Sequence, residues 1–198
     1  QGEVEDVTTC YELPAFSGSG DIVYRPGSED AVAHFRDLYG TNANFVSLLE
    51  MKVIEGQAFD ESYSDSMQLV MVSRQMATEL ANAFQWKDGV VGKKLDIGGH
   101  GTDDPFTVVG VYDDVRMGRI DQEGMVNSAI FFSKRAEQTL VVKFRERNAE
   151  NLAHINNVIK EFLPDREINL IDYRFSLTKL YDTSRIFRDS VMAGGIIT

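Results

Sequence analysis

The chain has 198 residues, 43% hydrophobic and 26% charged, which suits one large domain or two small subdomains on a shared core. A formal net charge of -11 with no cationic run excludes a nucleic-acid surface and docking on an anionic leaflet. The single cysteine, Cys10, excludes an intrachain disulfide and a cysteine-based zinc site, and leaves the compartment open.

Val4–Glu12 is rich in β-formers and reads as a strand. A Gly-Ser turn at Phe16–Gly20 leads to a short strand, Asp21–Arg25, which Pro26-Gly27 stops. Ala31–Tyr39 fits a helix or a strand in period, and its context favours a strand. Asn42–Met51 predicts a short Asn-capped helix whose Phe45, Leu48 and Leu49 share one face. Lys52–Gly56 leads out to Phe59, and Glu61–Ser66 is a polar loop.

Met67–Ser73 is a buried strand and Arg74–Phe84 an amphipathic helix, with Met76, Leu80 and Phe84 on one face. Gly89–Gly92 is a turn, Lys93–Ile97 a strand, and Gly98–Pro105 a hairpin tip. Phe106–Tyr112 reads as the central strand, apolar enough to be covered on both faces, and ends in Asp113-Asp114. Arg116–Val126 has little periodicity and reads as an excursion.

Ser128–Ser133 and Thr139–Arg145 are strands. Asn148–Leu163 is the clearest helix, with Leu152, Ile155, Val158, Ile159 and Phe162 on one face and Pro164 at its end. Glu167–Asp172 predicts a strand, so Thr139–Asp172 has the spacing of a βαβ unit. Phe175–Ser190 is a last helix. The apolar residues after it read either as the first turns of a membrane helix or as a tail tucked into the core. No signal peptide or complete span is visible.

The expected fold class is α+β in two subdomains. Residues 1–59 with 134–190 form a βαβ-containing sheet layer and residues 60–133 a smaller β-rich insert.

Chemical signals are sparse. His34, His100 and His154 show no metal-ligand spacing, and His154 is expected to face solvent. No nucleophile elbow, phosphate loop or dinucleotide fingerprint occurs. Gly98–Gly101 lies between strands and lacks the helix N-terminus that would hold phosphate. Asp113 and Asp114 are candidates for acid/base or metal chemistry, but neighbours in a strand point to opposite faces, so a strand end with one Asp capping the turn is the plainer reading. Trp86 is expected to be a core lid, and Cys10 half-buried and inert.

Three stretches, Asn44–Phe59, Val91–Leu95 and Phe106–Asp114, in this order and spacing resemble the MacB-like periplasmic core domain of FtsX-like ABC transporter permeases. The positions that carry the resemblance are Phe45, Gly56, Phe59, Gly92, Lys93, Gly110, Val111 and Asp114. The resemblance implies a non-catalytic domain between the first and second membrane helices, with no cofactor and no nucleic acid. Its implied partners are a cytoplasmic ATP-binding subunit, a second permease copy and a periplasmic or outer-membrane protein. The implied location is the periplasmic side of the inner membrane. On the same resemblance the layer of residues 1–59 with 134–190 would be porter-like, residues 191–198 would be the start of a membrane helix, and the helix carrying Tyr181, Arg185, Phe187 and Arg188 would be a stalk that transmits ATP-driven motion outward. A ligand-sensing receptor domain and a carboxylate-dependent hydrolase are the alternatives.

Overall fold

The computed structural model describes residues 4–15, 19–98, 105–115, 127–136, 138–146, 148–165 and 170–179. The strands are β1 (Val4–Cys10), β2 (Ser19–Tyr24), β3 (Ala31–Thr41), β4 (Val53–Gly56), β5 (Leu69–Ser73), β6 (Lys94–Ile97), β7 (Phe106–Tyr112), β8 (Ser128–Phe132) and β9 (Thr139–Phe144). The helices are α1 (Phe45–Leu48), α2 (Arg74–Phe84) and α3 (Ala149–Phe162). Residues 173–179 are helical as well. The chain divides into two compact units, residues 6–142 and residues 1–5 with 143–198.

In the larger unit the strand order β2-β6-β7-β5-β8-β3, with β2 also paired to β3, closes six strands into a ring. Closure covers most edges along this ring, but β7 runs past β6 and β3 past β2, which leaves their ends open to β4 and β1. β4 pairs with β7 outside it, and β1 and then β9 continue the sheet beyond β3. The pairings of β3 with β8 and of β5 with β7 are parallel, while others are antiparallel, so the sheet is mixed.

Both faces of the central strands are covered, which is why they are written as unbroken apolar runs. On β5, Val70 and Val72 join a cluster with Val23, Phe35, Leu95 and Val108, closed by Met76 and Leu80 of α2. Met71, between them, faces the other way and meets Phe45 and Val46 of α1, with Tyr39, Tyr112 and Ile130. β7 behaves alike, save for a register shift: Val70 pairs with Val108, but Met71 pairs with Gly110. The extra residue puts Val108 and Val111 in the same cluster although they are three apart.

β3 is a strand, as its context suggested. Its pairing with β2 slips between Phe35 and Leu38, so Phe35 serves the first cluster and Tyr39 the second. β4 was not anticipated: four residues, largely exposed, become a strand only because β7 offers an edge. Glu50, with a φ of 55°, makes the turn before it. The strands flanking the predicted hairpin tip pair antiparallel, Lys94 with Thr107 and Leu95 with Phe106. Most of the tip lies outside the described residues, as does the excursion at 116–126.

The subdomain boundaries drawn from the sequence, after residues 59 and 133, do not coincide with the compact units. β6 pairs with β2 and β8 with β3, so residues 60–133 are woven into the same ring as residues that precede them.

In the smaller unit, α3 begins where the Asn148 side chain accepts a bond from the Asn151 N–H at 2.8 Å. Asn151 in turn donates its amide to the Glu146 carbonyl at 2.8 Å and is the one buried residue of the helix. The predicted apolar face is less covered than its period implied. Ile155, Val158 and Ile159 are half-buried, while Leu152 and Phe162 are exposed.

The strand predicted for Glu167–Asp172 is corrected in part: 170–172 carry no strand, Leu170 and Ile171 are exposed, and 167–169 lie outside the described residues. The last helix starts two residues earlier than predicted. The Asp172 carboxylate accepts the Phe175 N–H at 2.9 Å, so this acid caps a helix instead of ending a strand. Tyr181, Arg185, Phe187 and Arg188 lie outside the described residues.

Candidate functional site: the acidic strand end and the signature positions

The two acids after β7 both turn to the first turn of α2. Asp113 Oδ1 meets the Arg74 guanidinium at 2.9 Å, and Asp114 Oδ1 accepts the Gln75 N–H at 2.9 Å. The Ser73 hydroxyl accepts the Met76 N–H at 3.3 Å. An α-helix leaves its first N–H groups without partners, and these oxygens supply two of them. Carboxylates there also complement the helix dipole. Asp113 further accepts the Asp114 N–H at 2.9 Å, so the local turn holds both acids toward the helix.

β8 is fastened to the same helix from the other side of the excursion. The Ser128 N–H reaches the Ser73 hydroxyl at 3.3 Å, and the Asn127 amide donates to the Glu79 carboxylate. Residues on both sides of 116–126 are therefore anchored on α2, over Ser73–Glu79. Beneath them Tyr112, fully buried, bonds its hydroxyl to Ser128 Oγ at 2.8 Å. Burial pushes the Tyr112 phenol far above its ordinary range.

Of the positions carrying the resemblance, Phe45, Phe59 and Val111 are core residues. Phe59 packs on Phe132 with ring centroids 5.5 Å apart. Gly56, with a φ of +67°, and Gly110 are partners across β4 and β7. Gly92 makes a turn at a φ of +81°. Lys93 pairs with Asp88 at 2.8 Å and lies 5.9 Å from the Trp86 ring centroid. The hydrogen bond from Lys93 holds the Asp88 carboxyl below its usual range. Asp114 is the helix brace. The structure gathers Gly56, Gly110, Val111 and Asp114 along one strand pair and its end, and leaves Lys93 with Trp86 at the start of β6.

Trp86 is a half-buried lid on the first cluster, as expected, and stacks on Phe84 at 4.5 Å and 8°. Cys10 is fully buried, deeper than expected. Desolvation, helped by Glu12, pushes its thiol up to about 11, and a thiol without thiolate is unreactive. His34 and His154 are exposed, and His100 lies outside the described residues. Among the described residues no three His, Cys, Asp or Glu side chains gather as a metal set.

Sequence reasoning missed Asp37, which is buried on β3 with Oδ2 unpartnered. Desolvation raises its carboxyl above the usual range and nearby Glu12 adds to this, while Arg36 and a bond to Tyr39 offset part of it. Reading β3 with alternate residues inward would have found it. Ser73 as a helix cap was also legible, since Ser directly precedes the amphipathic run.

The family model for the MacB-like periplasmic core domain matches residues 3–160. The chain belongs to that family, the extracytoplasmic domains of ABC-type transporter permeases. Among solved structures it is similar to the extracellular domain of the noncanonic ABC-type transporter YknZ from Gram-positive bacteria. That match has 16% identity and a TM-score of 0.53, covering 83% of this chain and 79% of that one. It is also similar to a domain of a putative permease protein from Porphyromonas gingivalis, at 16% identity and a TM-score of 0.50, with 80% and 70% covered. The periplasmic region of MacB from Actinobacillus actinomycetemcomitans matches at 17% identity and a TM-score of 0.48, with 82% and 69% covered. At these identities the likeness concerns the fold. No curated protein matches the chain. Among the described residues no helix is long and apolar enough to cross a membrane.

Proposed function

We propose that this domain is a non-catalytic relay on the periplasmic side of an inner-membrane ABC transporter permease. It passes the motion driven by cytoplasmic ATP hydrolysis through a stalk helix to work outside the membrane, whether export, lipoprotein release or activation of a partner. The observation that carries the reading is the family match over 3–160, followed by a helix that the Asp172 cap starts at 173. A helix rises about 1.5 Å per residue and bends little, so one continuing past Tyr181, Arg185, Phe187 and Arg188 is a suitable lever. The stiff ring and its two-faced core give that lever a body to move. Asp113 and Asp114 support the non-catalytic part, because α2 engages both acids.

The implied partners are an ATP-binding subunit, a second permease copy and a periplasmic or outer-membrane protein. The test places Arg185→Pro in the full-length permease with its ATP-binding subunit. The relay predicts that transport or partner activation is lost while ATP hydrolysis persists. Unchanged transport with a broken stalk would sink it. So would transport lost by Asp113→Asn and Asp114→Asn in a chain of unchanged stability, which would favour the hydrolase.

A further inference from the structure

The end of β1 keeps its hold on β3 by a few contacts. Cys10 stands opposite Thr41, the Asn42 N–H reaches the Thr9 carbonyl at 3.0 Å, and the Tyr11 N–H reaches the Gly40 carbonyl at 2.9 Å. The Tyr11 ring occupies the space that a side chain at Gly40 would need, beside Phe131 at 6.1 Å between centroids. Residues opposite each other on antiparallel strands share a face. This register therefore turns Glu12 to the face that carries Tyr39 and, two positions earlier, Asp37.

Two carboxyl oxygens on that face, Asp37 Oδ2 and Glu12 Oε2, are buried and have no hydrogen-bond partner among the described residues. Asp37 is only 5% exposed. After desolvation, the charge of Glu12 is felt by both Asp37 and Cys10, as its place between them requires. The other titratable groups around Asp37 are Arg36, exposed on the opposite face, and Tyr39, bonded to Asp37. From β7 come Tyr112, whose hydroxyl is bonded to Ser128, and Asp114 beyond it. None of the described bases forms an ion pair with Asp37 or Glu12. Two buried acceptors without a donor need one proton, since a protonated carboxyl donates and a carboxylate accepts.

We infer that Asp37 and Glu12 are a proton-operated latch on the end of β1. While Asp37 holds its proton, its hydroxyl bonds to the Glu12 carboxylate and Tyr11 stays seated on Gly40. When the proton leaves to solvent, two like charges face each other away from water, Glu12 swings outward, and the contact of Tyr11 with Gly40 loosens. Burial raises the Asp37 carboxyl above its unfolded value. The closed latch is therefore complete below the unfolded pKa and is lost as pH rises through the folded one. The latch is independent of the stalk.

The test follows amide exchange in the 198-residue chain from about pH 4 to pH 8 at constant ionic strength, corrected for the intrinsic rise with pH. Protection at Tyr11 and Asn42 should fall about tenfold as Asp37 ionises, the equivalent of one pKa unit, while Val72 in the core changes little. Asp37→Asn and Glu12→Gln should each hold protection at its acid value throughout. Glu12→Gln should also lower the titration midpoint of Asp37, read by NMR of its carboxyl. Circular dichroism establishes that each variant is folded. Protection that ignores pH in the parent, or the parent's pH profile kept by folded Asp37→Asn, overturns the inference. So does an Asp37 midpoint that Glu12→Gln leaves in place. Protection regained at neutral pH when calcium chloride replaces sodium chloride overturns it as well, and assigns the two oxygens to a cation.

Discussion

Gly56 and Gly110 face each other across β4 and β7, and neither has room for a side chain. A Cβ on Gly110 would stand 2.4 Å from the Gln57 carbonyl oxygen, and one on Gly56 2.3 Å from that of Val109. The obstacles are backbone atoms, which cannot swing aside. Gly56 also has a left-handed φ of +67° that an L side chain resists.

Alanine at either glycine is therefore expected to destabilise the domain. We expect about 2 kcal/mol for Gly110→Ala and somewhat more for Gly56→Ala, where steric crowding and backbone strain act together. Urea denaturation measures both. The double variant should cost less than the two singles together, because peeling β4 from β7 relieves both clashes. Full additivity would mean the two sites are not coupled.

The brace on α2 gives a second set. Asp114→Ala and Ser73→Ala should each cost about 1 kcal/mol, the usual worth of a helix cap. Arg74→Gln should cost less, about 0.5 kcal/mol, because its ion pair with Asp113 is open to solvent. Amide exchange should rise at Gln75 in Asp114→Ala and at Met76 in Ser73→Ala. Unchanged exchange at these amides would contradict the assignment of the caps.

Tyr112→Phe removes one member of a buried hydroxyl pair and leaves Ser128 Oγ without it. The expected loss is about 1–2 kcal/mol, and Tyr112→Phe with Ser128→Ala should recover part of it. Thermal melts of the three variants decide this.

Asp37 sets a pH dependence. Burial raises its folded-state pKa above the unfolded value, so the folded state binds this proton more tightly. Its contribution is present below the unfolded pKa and is lost as pH rises through the folded one. Asp37→Asn is therefore expected to melt a few degrees above the parent at neutral pH, the gap closing as pH falls into the carboxylate range. A gap that widens on acidification would reverse the sign and the explanation.

Cys10 is expected to ignore a thiol reagent such as dithionitrobenzoate at pH 8 in the folded chain and to react at once in denaturant. Burial excludes the reagent and, with Glu12, holds the thiol at about 11, well above the assay pH.

What the sequence alone determined was local. The Met76–Leu80–Phe84 face announced α2 with its true bounds, and the run at Phe106–Tyr112 announced β7, because period and β-propensity are written in neighbouring residues. The ordered glycines and aromatics carried the family. Tertiary structure alone decided what depends on residues far apart in the chain. β4 is a strand only because β7 lies beside it. Position 110 requires a glycine only because the Gln57 backbone lies against it. Asp114 reaches Gln75, 39 positions earlier, only once β5 and β7 are paired in parallel. Such contacts become available after distant strands have met, and no short window of sequence contains that meeting.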